Sequence, residues 1–145
     1  MSDLRSSTVT IDAPLAAVQE ALFAIQAYPS WSSSIKVSEV VARDDKGQAT
    51  KVKMTIDAGM MKDRVILDYD WSQAPGKLSF SLDDADLLTG MDGSYSIKAI
   101  DEDTTQVTYE LSVSLSMPIP AMMRQKAEKT TIDQALSQLK ASLEG

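Results

Sequence analysis

The sequence predicts an α+β fold: a seven-stranded antiparallel sheet wrapped around one long C-terminal helix, with two short helices after the first strand. Three observations carry this expectation. Between Ile35 and Met117, apolar residues recur at every second position in successive short segments, the period of strands with one buried face. Turn-forming clusters punctuate those segments: "DDKG" at Asp44, "QAPGK" at Gln73, "DDAD" at Asp83 and "DEDT" at Asp101. From Pro120 onward the period lengthens to about 3.6, and Ile132, Ala135, Leu136, Leu139 and Leu143 form one stripe. A sheet with one apolar face needs a cover, and this helix is the only element long enough to supply it.

The first strand is expected over Thr8 to Ile11, with Val9 and Ile11 on one face. Asp12, Ala13 and Pro14 then signal a helix start, with the proline preset for the first turn. Leu15, Val18, Leu22 and Ile25 follow at helical spacing, and "AYPSWSSS" at Ala27 to Ser34 breaks that helix and makes one more short turn. In the second strand, Ile35 to Arg43, strict alternation would set Glu39 among Ile35, Val37 and Val41 on the apolar face. A bulge that turns Glu39 outward resolves the conflict. Val52, Met54 and Ile56 mark the third strand, and Val65, Leu67, Tyr69 and Trp71 the fourth. Leu78, Phe80 and Leu82 mark the fifth, Tyr95 and Ile97 the sixth, and Val107 to Met117 the seventh. "GMDG" at Gly90 lies inside the sixth strand and marks a bend. The 145 residues carry no internal repeat and no Pro/Ser-rich linker, so one domain over residues 1–145 is expected.

Composition narrows the chemistry. The formal charge is −7 with lysines and arginines scattered, which leaves no basic patch for nucleic acid or an anionic membrane. No apolar run reaches the length of a membrane span. There is no cysteine and no histidine, so disulfides, thiolate chemistry and the commonest general base and metal ligand are absent. The acidic "DDAD" run matches no calcium-loop spacing, and neither a metal nor a cofactor is expected. The first ten residues, MSDLRSSTVT, lack a secretory signal, so a cytoplasmic location is expected.

Three stretches, "TVTIDAPLAAVQEALFAIQAYPSW", "VSEVVARDDKGQATKVKMTID" and "LLTGMDGSYSI", in this order and spacing, resemble the START-like or Bet v 1-like helix-grip superfamily, specifically its bacterial polyketide cyclase/dehydrase and lipid-transport (SRPBCC) family. The resemblance implies a curved sheet and long helix enclosing an apolar cavity for a lipid, polyketide or isoprenoid. It does not select one chemistry. Relatives of this kind include carriers, aromatase/cyclases and protein-interaction modules. The leading expectation is therefore an apolar small-molecule binder, not an enzyme. The alternatives are a cyclase/dehydrase-like enzyme and a module that docks a protein partner.

Candidate residues follow from strand parity. In a meander, the turn after the third strand (Met60, Met61), the turn after the fifth (with Met91 just beyond) and the exit of the seventh (Met117, Met122, Met123) lie at one end of the sheet. Methionine suits surfaces that accept varied shapes, so a methionine-rich cavity rim is one reading and filler where strands splay from the helix is the other. The resemblance favours the rim. Met123 projects away from the core, and Met122 sits at the flank of the inward stripe. The expected ligand-binding set is Trp31, Met54, Met61, Leu67, Tyr69, Trp71, Phe80, Met91, Tyr95, Tyr109, Met117, Met122 and Gln125. The tyrosines and tryptophans have an ordinary core role as the competing explanation. The inward helix stripe runs back through Ile132, Glu128, Gln125 and Ala121. Arg124 lies four residues before Glu128, at ion-pair spacing that places Glu128 on a solvated flank. A carboxylate facing the cavity is the alternative, and it would supply the enzymatic reading with a general base, assisted by Tyr69, Tyr95 or Tyr109.

Overall fold

The computed structural model describes residues 5–57, 62–115 and 119–144. Its elements run β1 (Arg5–Ile11), α1 (Leu15–Phe23), a 3-10 helix (Ile25–Ser30), β2 (Ile35–Arg43), β3 (Ala49–Asp57), β4 (Lys62–Asp70), β5 (Lys77–Ala85), β6 (Leu88–Asp101), β7 (Thr104–Leu115) and α2 (Ala121–Glu144). The seven strands form one antiparallel sheet in the order β1-β7-β6-β5-β4-β3-β2. Strands β2 to β7 are a meander, while β1 pairs with β7, from Arg5 opposite Leu111 to Ile11 opposite Thr105. The two edge strands are consecutive in sequence, and α1 with the 3-10 helix carries the chain between them.

The alternating pattern has the physical meaning expected of it. Val52, Met54 and Ile56, then Val65, Leu67 and Tyr69, then Val107, Tyr109, Leu111 and Val113 all turn inward and are buried. Across from them α2 buries Ile132, Ala135, Leu136 and Leu139, and each large aliphatic side chain so buried contributes roughly 1.5–3 kcal/mol. Further tethers fix the helix to the sheet. The Lys140 amine donates to the Thr10 carbonyl at 2.6 Å and the Asp12 amide donates to the Glu144 carboxylate at 2.8 Å. Gln138 grips the loop before β2, accepting from the Ser33 amide at 2.9 Å and donating to its hydroxyl at 2.6 Å.

Several local expectations are corrected. Pro14 stands one position ahead of α1, in extended conformation, and its carbonyl takes the Ala17 and Val18 amides. Helix α1 ends at Phe23, so Ile25 belongs to the 3-10 helix, where it is buried. In β2 the bulge exists and Glu39 is exposed, but the register shifts between Ile35 and Val37 and again near Val41. The first shift reverses the parity of the whole strand. Val37 and Val41 therefore point outward, 50% and 55% exposed, while Ser38 and Val40 turn inward. Ser38 can do so because its hydroxyl donates to the Ile25 carbonyl at 2.8 Å.

The "DDAD" run is not a turn. Asp83, Asp84 and Ala85 continue β5, with Asp84 opposite Ile66 and Ala85 opposite Val65 across a bulge. Cations on neighbouring strands make the acidic strand end tolerable: Lys51 reaches Asp83 at 2.8 Å, and Arg64 reaches Asp86 at 3.0 Å. The turn falls at Asp86 and Leu87, and a buried carboxylate from β4 holds it. Asp63 accepts the amides of Asp86 at 3.1 Å, Leu87 at 3.1 Å and Leu88 at 2.8 Å.

Candidate functional site

Between the inward face of the sheet and α2 lies a cavity that strand parity builds directly. Its sheet wall is Met54 and Ile56 of β3, Leu67 and Tyr69 of β4, Phe80 of β5, Met91 and Tyr95 of β6, and Tyr109 of β7. Thr131 and Ala135 of α2 face that wall, and Tyr28, Ser32, Ser34 and Ile35 close one side. The free volume is about 40 Å³, enough for water molecules but well short of the roughly 150 Å³ of a known benzene-binding cavity. A bound organic molecule must therefore widen it. Met54 and Met91 are the lining side chains best able to move aside, being unbranched.

All four tyrosines of the chain line this one cavity. Tyr95 and Tyr109 are direct cross-strand partners whose rings stack at 4.3 Å between centroids, with an interplanar angle of 23°. Tyr69 and Phe80 are likewise paired across β4 and β5, at 5.5 Å. Phe80 also stands opposite Gly93 on β6, and this glycine makes its position tenable. A Cβ at residue 93 would fall onto the Phe80 ring and come within 2.9 Å of the Glu110 carbonyl oxygen. The "GMDG" glycine thus opens room for an aromatic wall residue.

Seven hydroxyl groups line the cavity, and the protein itself satisfies four of them. Tyr28 donates to the Leu22 carbonyl at 2.5 Å, Thr131 donates to the Ala127 carbonyl at 2.8 Å, and Ser32 and Ser34 share a bond at 3.3 Å. The other three belong to Tyr69, Tyr95 and Tyr109. Those of Tyr95 and Tyr109 perturb each other's ionisation, and among the described residues none of the three hydroxyls makes a hydrogen bond within the protein.

Among the described residues, no Asp, Glu, Lys or Arg lines the cavity. Burial in these surroundings pushes the ionisation of all four tyrosines upward, that of Tyr109 to about 12, with the Tyr95 hydroxyl partly opposing the rise at Tyr109. A raised folded-state value means that the stability contribution is present in full below about pH 10 and is lost as the pH climbs through the folded values. Alkaline titration should therefore keep the four tyrosines silent above pH 10 until the sheet unfolds, when tyrosinate absorbance and the loss of circular dichroism appear together. Independent early ionisation of several tyrosines in the folded chain would contradict this.

Of the expected ligand-binding residues, the structure brings Met54, Leu67, Tyr69, Phe80, Met91, Tyr95 and Tyr109 together in the lining. Trp31 and Trp71 stand outside it. Trp71 lies just past β4, donates to the Ala49 carbonyl at 2.6 Å and packs edge-on against Phe23, while Trp31 packs edge-on against Tyr28. Gln125 is half-buried outside the lining, and Met122 is 80% exposed rather than at the flank of the inward stripe. Met123 is exposed as projected. Met60, Met61 and Met117 lie outside the described residues; of the other methionines expected at the rim only Met91 lines the cavity, and Met54, expected in the binding set but away from the rim, lines it as well.

Glu128 overturns the solvated reading. It is 1% exposed, with Arg124 beside it at 3.5 Å on a side chain that is itself mostly buried. One carboxylate oxygen accepts the Val113 amide at 2.6 Å, while Arg124 donates to the Val113 carbonyl at 3.3 Å. Val113 stands two residues beyond the last described β1–β7 pair, at Leu111. Glu128 and Arg124 thus take the backbone amide and carbonyl of one residue of β7. Glu128 is not among the residues lining the cavity, so this site has no carboxylate base.

Sequence reasoning did not select Tyr28, Ser32, Ser34, Ile35, Ile56, Thr131 or Ala135. Ile56 and Ile35 carried the same strand alternation as the residues that were selected, and Thr131 and Ala135 flank Ile132 on the inward stripe. For Tyr28 and the serines, the loop geometry that folds them under α1 has no periodic signature.

Among the described residues, no three His, Cys, Asp or Glu side chains come together to hold a metal ion, and no helix is long and apolar enough to cross a membrane. A family model described as polyketide cyclase / dehydrase and lipid transport matches residues 5–144. A START superfamily protein from Mycobacterium smegmatis superposes with a TM-score of 0.92 at 22% identity, covering 97% of each chain. A protein of Thermus thermophilus gives a TM-score of 0.79 at 18% identity, over 97% of this chain and 96% of its own. An aromatase/cyclase from Streptomyces sp. R1128 gives 0.72 at 16% identity, over 94% and 92%. No curated protein sequence matches the chain. At these identities the solved structures establish a common START-like fold.

Proposed function

The chain belongs to the polyketide cyclase / dehydrase and lipid transport family, and from that premise we propose that it binds an uncharged apolar small molecule in the cavity between the sheet and α2, sequestering or carrying it without chemical change. The observation that carries this reading is the lining: aliphatic, methionine and aromatic side chains with a few hydroxyls and no ionised group. Such a composition favours burial of apolar surface while fixing orientation through a few polar atoms. It offers no general base for cyclase chemistry, since Glu128 is committed to the Val113 amide.

Native mass spectrometry of the purified protein, before and after incubation with neutral hydrophobic molecules from single-ring hydrocarbons and ketones to naphthalene and long-chain alcohols, tests the reading. The wild type is expected to hold an added mass and to gain stability, about 2.7 kcal/mol when a ligand is present at a hundredfold its Kd. Ala135→Leu, which fills the cavity from α2, should remove both effects while the chain remains folded. A bare mass and unchanged melting with every probe would refute the proposal.

A further inference from the structure

The ligand's polar feature is written in the three tyrosines that the protein does not otherwise use. We propose that the hydroxyls of Tyr69, Tyr95 and Tyr109 anchor a single accepting oxygen of a small uncharged carbonyl compound, one ring in size, and exclude carboxylates. This rests on the binding reading above and specifies what that site takes.

A buried hydroxyl without a partner costs roughly 1–3 kcal/mol, and Tyr28, Ser32, Ser34 and Thr131 avoid that cost within the protein. Tyr69 has no such partner among the described residues, although it is buried and Ser32 and Ser34 line the same cavity. Tyr95 and Tyr109 are stacked cross-strand partners, and neither hydroxyl makes a hydrogen bond among the described residues, so both protons are available to an incoming acceptor. Three phenolic donors on the wall of one narrow cavity suit an oxygen that accepts and does not ionise.

Charge and size set the rest. Among the described residues no cation lines the cavity, and an anion stripped of water without one is strongly disfavoured. The same environment that drives the tyrosines away from ionisation acts on a ligand carboxyl. The free volume of about 40 Å³ needs only ~100 Å³ more to reach the capacity of a benzene-sized cavity. Rotation of Met54 and Met91 can contribute to that widening. Fused rings and long chains would have to displace the stacked Tyr95–Tyr109 pair as well.

The test compares three molecules of nearly one shape: acetophenone, α-methylstyrene, in which a methylene replaces the carbonyl oxygen, and benzoate. Protein labelled with 13C at the methionine methyl groups reports entry through Met54 and Met91. Tyr69→Phe, a substitution that keeps the ring, is expected to weaken acetophenone about tenfold and to leave α-methylstyrene unchanged or tighter, the pattern of a single lost hydrogen bond. Tyr109→Phe is expected to act in the same direction, and benzoate should not shift the methyl signals of the wild type. Equal effects of Tyr69→Phe on acetophenone and α-methylstyrene, or benzoate binding as tight as acetophenone, would overturn the anchor while leaving the cavity a binding site. Failure of both neutral probes to move Met54 and Met91 would overturn the anchor and the binding reading together.

Discussion

Glu128→Ala is expected to destabilise the folded chain by about 3 kcal/mol, the scale on which breaking a buried charged pair acts. The truncation strands the Val113 amide, which loses its 2.6 Å acceptor, and takes the carboxylate neighbour from the largely buried Arg124, which still donates to the Val113 carbonyl. It also unfastens the first half of α2. Beyond Thr131 that helix is held by Ile132, Leu136 and Leu139, all buried, whereas Ala121, Met122 and Met123 are exposed. Glu128 is therefore the main buried attachment of the N-terminal turns. Glu128→Gln retains an accepting oxygen and is expected to cost about half as much. Urea denaturation checks both values, and amide exchange should accelerate at Val113 before it does at Leu139. An alanine variant as stable as the wild type would remove the fastening role.

Asp63→Ala should cost a comparable amount, about 3 kcal/mol, for a different reason: its carboxylate is an internal cap on the β5–β6 turn. Three consecutive amides, from Asp86, Leu87 and Leu88, converge on it from a distance of more than twenty positions in the chain. Each charge-assisted bond of this kind is worth roughly 1.5–3 kcal/mol in isolation, and they are not additive because the turn relaxes as a unit. Asp63→Asn leaves one acceptor oxygen and should fall between. Hydrogen exchange at Leu88, whose amide is buried with its acceptor, should rise in the alanine variant well ahead of exchange at Leu111. Unchanged protection at Leu88 would show that the turn holds itself.

Much of the fold was legible because it rests on periodicity. Val107 to Leu115 could only alternate as a strand, and Ile132 to Leu139 could only wind as a helix, so sheet and cover followed. Where a one-residue insertion changes parity, periodicity misleads. Val37 and Val41 looked inward until the bulge near Lys36 turned them out with Glu39. Local chemistry also misled when its partners were distant in sequence. "DDAD" has the composition of a turn, yet Lys51 and Arg64 on other strands make it part of β5. Glu128 has the same explanation. Its exposed-flank reading used Arg124, four residues away, and could not include the Val113 amide fifteen positions away that takes the carboxylate inside. The cavity was half legible: seven of its fourteen described lining side chains were selected from predicted inward faces, and the part formed by Tyr28, Ser32 and Ser34 came from a 3-10 helix and the loop after it, which carry no periodic signal.

The placement of β1 opposite β7 governs how the chain can fold as it is made. Arg5 meets Leu111 and Ile11 meets Thr105, so during synthesis β1 has no partner until the rest of the domain's strands have followed. The meander from β2 onward can pair by short steps, each closing a small loop. Joining β1 to β7 instead closes a loop of about a hundred residues, and non-local pairings of this kind slow folding and prolong exposure of unpaired strand edges. During that interval Val9 and Ile11 would be open to neighbouring chains, and an early docking of α1 against the growing sheet would give the waiting segment cover.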